Sequence, residues 1–507
     1  MNTNEFTRIA IVGTGAMGRG IAQIAAQAGS QVLLYDVSEG AAMAAATAIH
    51  DQWTRLADKG KLAASDVTLF ASRLTVVTQL AELAACDLVV EAIVERLETK
   101  QSLFKSLEAV VSAQCVLASN TSSLSITAIA AALAHPARLA GFHFFNPVPL
   151  MKVVEVIGGL QTDESICQRL SDYAKTMGHT PVRAADTPGF IVNHAGRGYG
   201  TEALRIAGEC VADFATIDRI LKDQAGFKLG PFELMDLTAL DVSHPVMESI
   251  YHQYFQEPRY RPSPITAQRL AGGVLGRKSG QGFYGYVDGK IVVPPEPPVP
   301  PLQLPVSVWI SPKASRRQAL IALVHQLGAT IESGPRPSDK ALIVVAPLGF
   351  DVTTIAAVEQ LDATRTVGID MLMDDAQTRR RVIATNPATR VDMREAAAAL
   401  FAADGKPVSV IKDSGGFVTQ RVVATVVNIG ADICQQGVCS PTDLNLAVEI
   451  GLGYPRGPLA LGDWVGPVNI LEVLFNLQTV YGDPRYRPSP WLRRRAALGL
   501  SLMQLEV

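Results

Sequence analysis

The stretch "RIAIVGTGAMGRGIAQIAAQAGSQVLLYD", from Arg8 to Asp36, restricts the fold more than any other part of this 507-residue chain. It reads as an apolar strand, a glycine-rich turn, a helix, a glycine stop and a second apolar strand. Gly13, Gly15 and Gly18 form the pattern GxGxxG. The first glycine permits a tight turn, the second lets a pyrophosphate approach the backbone, and the third lets helix and strand pack closely. The helix then opens with free N–H groups and a positive dipole end aimed at phosphate. Gly13, Gly15, Ala16, Met17 and Gly18 are the candidate contacts. Asp36 ends the second strand, where a carboxylate holds both ribose hydroxyls and repels a 2′-phosphate. The cofactor implied is NAD rather than NADP.

Apolar runs at "CDLVVEAI", "CVLASN", "RLAGFHFF" and "KVVEVI" add further strands, mostly with helical stretches between them. The first third is therefore expected to be a Rossmann-type, mostly parallel α/β sheet with its ligands at the carboxyl ends of the strands. Polar residues gather at those ends: Glu95, the "SNTSS" run at 119–123 and "HFFNP" at 143–147. A net charge of −3 offers no electrostatic reason to expect nucleic acid or an anionic membrane. No apolar run reaches the roughly 18–20 residues of a membrane span, and no signal peptide is visible at the amino terminus. The six cysteines show no metal or redox spacing, which points to reduced thiols in a cytoplasm and to no metal site.

Two residues stand out as catalytic candidates. His143 ends one strand, and Glu155 lies inside the next apolar run, "KVVEVI". A carboxylate buried there requires a partner, and His143 is the nearest candidate. In that arrangement Glu155 fixes the imidazole tautomer, and the other ring nitrogen takes a hydroxyl proton as hydride leaves carbon for the cofactor.

With "NTSSLSI", "GFHFFNPVPLMKVVEVI", "DTPGFIVN" and "GRKSGQGFYGY" in view, residues 8–290 resemble the L-3-hydroxyacyl-CoA dehydrogenase family. The resemblance implies NAD-dependent oxidation of an acyl-CoA substrate, as in β-oxidation. It makes His143 the base and Glu155 its partner, and places Ser122 and Asn193 at the substrate oxygens. It makes Glu95, Lys100, Ser122, Asn146 and Lys278 cofactor contacts, and Lys59 a contact to the CoA phosphates. Plainer roles stand beside these: a solvated helix lysine for Lys59, a surface charge for Lys278, turn or capping duties for Ser122 and Asn146, a structural hydrogen bond for Asn193. Two rival functions are a β-hydroxyacid dehydrogenase acting on free acids and a non-catalytic, crystallin-like NAD-binding protein. "HFFNPVP" with an intact His–Glu pair argues against both.

Beyond residue 186 helical periodicity dominates, and "PPEPPVPPLQLP" at 294–305 follows as an extended spacer. The heptapeptide "PRYRPSP" occurs at 258–264 and again at 484–490, an offset of 226. At an offset of 227, Asp186, Gly189 and Phe190 meet Asp413, Gly416 and Phe417, while Gly230, Pro231 and Asp236 meet Gly457, Pro458 and Asp463. This predicts a duplicated module. The same register sets Asp370 against His143, Val382 against Glu155, Gly349 against Ser122 and Gln420 against Asn193, so the second copy lacks the chemistry.

The expected layout is a Rossmann-type NAD-binding domain at 1–185, an all-helical domain at 186–288 and a Pro-rich linker region at 289–340. A degenerate α/β remnant at 341–410 and a second, non-catalytic helical domain at 411–507 follow. The second helical domain is expected to pack on the first within the chain, and a homodimer of whole chains is compatible with that. The heptapeptides are expected to be rigid connectors before the last helix of each helical domain. This layout resembles the 3-hydroxyadipyl-CoA dehydrogenases of bacterial phenylacetate degradation; the 3-hydroxybutyryl-CoA enzymes share the catalytic module.

Overall fold

A computed structural model describes residues 5–301, 307–373 and 375–506. They form two compact units, Met1–His194 with Gln436–Leu452, and Ala195–Gln435 with Gly453–Val507.

The first unit is built on eight strands: β1 (Arg8–Val12), β2 (Gln31–Tyr35), β3 (Leu74–Val76), β4 (Leu88–Glu91), β5 (Val116–Ser119), β6 (Leu139–Phe144), β7 (Val153–Gly158) and β8 (Thr180–Ala185). Their order is β3-β2-β1-β4-β5-β6-β7-β8. Every neighbouring pair is parallel except β6 and β7. The inner strands are continuous apolar runs because helices cover both sheet faces. The chain reverses direction across the sheet at β1, which places a crevice at the carboxyl ends of β1 and β4. Helix α1 (Ala16–Gln27) starts there, and α2 (Ala41–Asp58) follows β2. A helix from much later in the chain, Pro441–Gly451, returns to this unit and packs on β7 and β8.

In the second unit, α3 (Arg197–Gly208) and α4 (Phe214–Ala225) lead through further helices to a hairpin of β9 (Gly285–Val287) and β10 (Lys290–Val292). A five-stranded sheet follows, in the order β11 (Val308–Ile310), β12 (Leu342–Val345), β13 (Thr366–Ile369), β14 (Arg381–Thr385) and β15 (Val408–Lys412). Only β13 and β14 are antiparallel. The centre of the unit is α5 (Thr419–Gln435), buried at every position but the last. It packs on α3 and α4.

The expected linker over 289–340 is too long, and the α/β remnant does not begin at 341. β11 and the helix Arg317–Gln326 belong to the second sheet and its core, with Val308, Ile310, Leu320 and Val324 at most 1% exposed. Proline content dominates that stretch and hides "VSVWI", which lies beyond the prolines of the spacer and pairs with β12 from Val308 onward. The two heptapeptides each form a 3-10 turn, Pro258–Tyr260 and Pro484–Tyr486, ahead of the helices Pro264–Ala271 and Pro490–Leu498. The turns also meet one another. Arg259 donates to the Arg487 carbonyl (2.6 Å) and pairs with Asp432, while Arg485 donates to the Pro258 carbonyl (3.2 Å). Arg259, 3% exposed, is thus a buried packing element.

Candidate active site

The glycine turn has the shape a pyrophosphate requires. Gly13 adopts φ +91°, and a Cβ there would lie 2.6 Å from the Ala92 carbonyl oxygen. A Cβ on Gly18 would lie 1.9 Å from the Gly13 carbonyl oxygen, so this residue closes the turn against its own helix. Gly15 faces open space and caps α1 without any side-chain bond, which leaves the helix N–H groups available. Ala16 is exposed beside it, whereas the Met17 side chain packs on the sheet core, so Met17 offers only its backbone. Asp36 accepts from Thr14 N (2.7 Å), Thr14 Oγ1 (2.9 Å) and Ser38 N (3.0 Å). Partial burial raises its pKa, but the bonds from Ser38 and Thr14 outweigh that and hold it below the usual carboxylate range. An ionised Asp36 at the end of β2 suits a ribose diol. These residues fit NAD.

Beyond β4, Glu95 organises the "SNTSS" loop. Its Oε1 accepts from Thr121 Oγ1 (2.6 Å), Ser122 N (2.9 Å), Ser123 N (3.1 Å) and Ser123 Oγ (3.0 Å). Burial raises its pKa, but Lys100 and these donors hold it below the ordinary glutamate value. Lys100, expected as a cofactor contact, lies inside the fold. It is 1% exposed, and its ammonium binds Glu91 (2.5 Å) and Glu95 (3.2 Å). Burial of that charge is tolerable because two carboxylates surround it. Glu91 was missed in the sequence. It closes the apolar strand "LVVE", is fully buried, and also accepts from Ser119 Oγ (2.6 Å) and Ile93 N (2.7 Å). The signal was there: a carboxylate in an apolar strand, as at Glu155.

The antiparallel pairing of β6 and β7 sets His143 directly opposite Glu155. His143 Nδ1 lies 2.6 Å from Glu155 Oε2, and Glu155 is fully buried. Glu155 Oε1 accepts from Ile191 N (2.9 Å) and Val192 N (2.8 Å). A carboxylate can only accept, so Nδ1 carries the proton and Nε2 is left as the basic nitrogen. The "TPGF" turn that leads directly into these donors is strained, with Gly189 at φ +78° and Phe190 at φ +48°. That conformation also sets the Phe190 ring 5.9 Å from the His143 ring. Asp186 anchors the same turn by accepting from Ser125 Oγ, Ile126 N and Thr127 N at 2.7–2.9 Å.

The remaining expected residues fall as follows. Ser122 is half-buried beyond β5, and β5 pairs with β6 at Ser119 and Gly141. Ser122 and His143 therefore lie at the same end of neighbouring strands. Asn193, half-buried, follows Val192 on the short helix Val192–Ala195. Asn146 is exposed just past β6. Lys59 is exposed at the C-terminal cap of α2. Lys278 lies in the second unit, where its ammonium is paired with Asp241.

Comparison with known proteins agrees with this chemistry. The family model for the 3-hydroxyacyl-CoA dehydrogenase NAD binding domain matches residues 8–187. The model for the family's C-terminal domain matches 189–286 and 416–502. The 3-hydroxyadipyl-CoA dehydrogenase of Escherichia coli (strain K12) is 38% identical over 490 residues, 97% of each chain. The chain belongs to the 3-hydroxyacyl-CoA dehydrogenase family. It is accordingly an NAD-dependent 3-hydroxyacyl-CoA dehydrogenase. Among solved structures, a 3-hydroxybutyryl-CoA dehydrogenase from E. coli K12 is similar with a TM-score of 0.85 and 37% identity, covering 97% of this chain and 99% of that one. An (S)-3-hydroxybutyryl-CoA dehydrogenase from Ralstonia eutropha matches with a TM-score of 0.54 and 36% identity, covering 56% of this chain and all of that one. A Rossmann-type NAD-binding domain followed by the family's helical C-terminal domain is thus the architecture of the dehydrogenase.

Proposed function

We propose that the dehydrogenase oxidises 3-hydroxyadipyl-CoA, with His143 as the base. The observation that carries the mechanism is the register-fixed His143–Glu155 pair, with Glu155 held in turn by two backbone donors. Bound NAD supplies the hydride acceptor. His143 Nε2 takes the proton of the 3-hydroxyl group, and Glu155 stabilises the imidazolium that forms. Ser122 and Asn193 hold the substrate oxygens. The glycine turn from Gly13 to Gly18 takes the pyrophosphate and Asp36 the adenosine ribose. Glu95 shapes the loop beside the cofactor, Lys100 supports Glu95 from below, and Asn146, Lys59 and Lys278 are outer contacts.

Similarity along almost the whole chain to a 3-hydroxyadipyl-CoA dehydrogenase favours the six-carbon diacid substrate. The full-length solved relative called a 3-hydroxybutyryl-CoA dehydrogenase favours the four-carbon alternative. Comparing kcat/KM for 3-oxoadipyl-CoA and acetoacetyl-CoA in the NADH-consuming direction decides between them. At least a tenfold preference for the diacid is expected, and a preference for acetoacetyl-CoA overturns the assignment.

We further read the second half as a degenerate copy of the first module, starting at β11. In register, Gly141, Phe142 and Val154 pair with Ile157, Val156 and Pro181; 227 residues on, Gly368, Ile369 and Arg381 pair with Ala384, Ile383 and Val408. The strained turn recurs too, with Phe190 at φ +48° and Phe417 at φ +51°. Two backbone bonds are reciprocal across the copies: Ala185 N donates to the Val438 carbonyl (2.8 Å), and Lys412 N donates to the Val211 carbonyl (3.0 Å). Such exchange is the mark of a two-fold interface, here within one chain.

The positions of the lost catalytic groups are sealed in this copy. Gln420 Oε1 accepts from Gly349 N (2.8 Å), and Gln420 Nε2 donates to Asp370 Oδ1 (2.9 Å). No helix among the described residues is long and apolar enough to cross a membrane. A cytoplasmic setting is part of the proposal and rests on six free cysteines.

A further inference from the structure

The returning helix, Pro441–Gly451, belongs to the half of the chain without a His–Glu pair, yet it packs on the strand that carries Glu155. Its face toward the sheet is apolar, with Leu444, Ala447 and Val448 fully buried. Its approach is fixed at both ends. Before it, the Val438 carbonyl accepts from Ala185 N on the edge strand β8 (2.8 Å), and Ser440 caps its first turn. At its far end sits Gly451. A Cβ built there would lie 3.1 Å from Val192 Cγ2, 3.3 Å from Val192 Cγ1 and 3.3 Å from Val153 Cγ1. These contacts are tight enough that a side chain would displace its neighbours.

The two neighbours are the ones that matter to Glu155. Val153 precedes it by two residues on β7, so both side chains leave the same face of the sheet. The Val192 N–H is one of the two backbone donors to its Oε1. One glycine therefore abuts both the strand that carries the carboxylate and the turn that holds it.

We infer that Gly451 is a positioning residue for the His143–Glu155 pair, and that the second half of the chain contributes to catalysis through the returning helix. Pushing Val192 outward weakens its N–H bond to Glu155. Less of the carboxylate charge is then neutralised by the backbone, and more of it falls on the imidazole. That favours imidazolium, so the acid limb of the pH profile moves upward.

The inference rests on His143 and Glu155 acting as proposed above, and the test separates the two. In the full chain, Gly451→Val is compared with wild type for NAD-dependent oxidation of 3-hydroxybutyryl-CoA, the direction in which neutral His143 is the base. A fall in kcat of about tenfold is expected from a small misplacement, with KM for NAD unchanged. The acid limb of kcat/KM is expected to move up by roughly half a pH unit. Adding Val192→Ala removes two of the three methyl groups that the new side chain meets, the two beside the N–H donor to Glu155, and restores kcat and the acid limb. If Gly451→Val does not fold, Gly451→Ala places a Cβ against the same methyls and is read in the same way. Wild-type kcat and an unmoved acid limb in a folded variant overturn the inference, as does a loss that Val192→Ala fails to rescue. A His143→Ala chain that keeps its activity overturns instead the reading on which the inference rests.

Discussion

A carboxylate buried within or just past an apolar strand must find a partner, and three in this chain do so by different routes. Glu155 finds His143 through antiparallel register. Glu91 finds Lys100 and Ser119, a solution the sequence reading missed because the lysine lies on the following helix and looks like a surface residue. Asp370 sits where the second copy would carry its histidine. One oxygen accepts from Gln420 and Leu372 N, while the other is buried without a partner. Burial pushes its pKa up to about 6. A carboxyl group whose folded pKa is raised costs stability as pH rises from the unfolded value near 4 through about 6. Asp370→Asn removes that cost. Its melting temperature relative to wild type should become more favourable between pH 4.5 and pH 8. A difference that stays flat across that range contradicts an ionising Asp370. The dyad was legible because strand pattern and chemistry coincide there; the pairing of Lys100 with Glu91 was not, because a sequence does not show which way a helix faces.

Among the elements, α5 depends most on pairings that only tertiary structure reveals. It is buried nearly end to end, yet it carries Gln420, Arg421, Asn428 and Asp432. Arg421 binds the fully buried Glu202 (2.8 Å), and also Glu209 (2.6 Å). Arg485 from the second heptapeptide binds Glu202 as well (3.1 Å). Burial alone would raise the Glu202 pKa, but Arg421 and Arg485 outweigh it and lower it. The stability this group contributes is therefore present above the ordinary glutamate pKa and is lost as pH falls below it. Removing one partner of a buried pair leaves an uncompensated charge, so Arg421→Ala should cost about 3–5 kcal/mol by urea unfolding. A cost under about 1 kcal/mol would mean the network is not held as drawn. The heptapeptides were readable as rigid connectors from their prolines. Their meeting with each other was not, because the contact joins residues more than two hundred positions apart.

At the scale of the molecule, the duplication proposed above accounts for one His–Glu dyad of this kind among the described residues. The repeat offset was visible in the sequence; the start of the second sheet was not, because prolines mask β11. If α5 does stand in for a partner chain, a truncation ending after Val292 exposes the apolar face of α3 and α4 that α5 covers. That protein should dimerise or aggregate in sedimentation or light scattering, and a stable, fully active monomer would argue against the stand-in role. The central claim is that His143, opposite Glu155 in the first unit, carries the substrate proton. The most direct measurement is the rate of NADH oxidation with acetoacetyl-CoA by the full-length His143→Ala protein, alongside wild type at equal NADH saturation. In this direction His143 gives the proton it takes during oxidation, so its loss predicts a fall in kcat of roughly 10²–10⁴ with NADH binding retained. Turnover at the wild-type rate would show that another group carries the proton, and would contradict the claim.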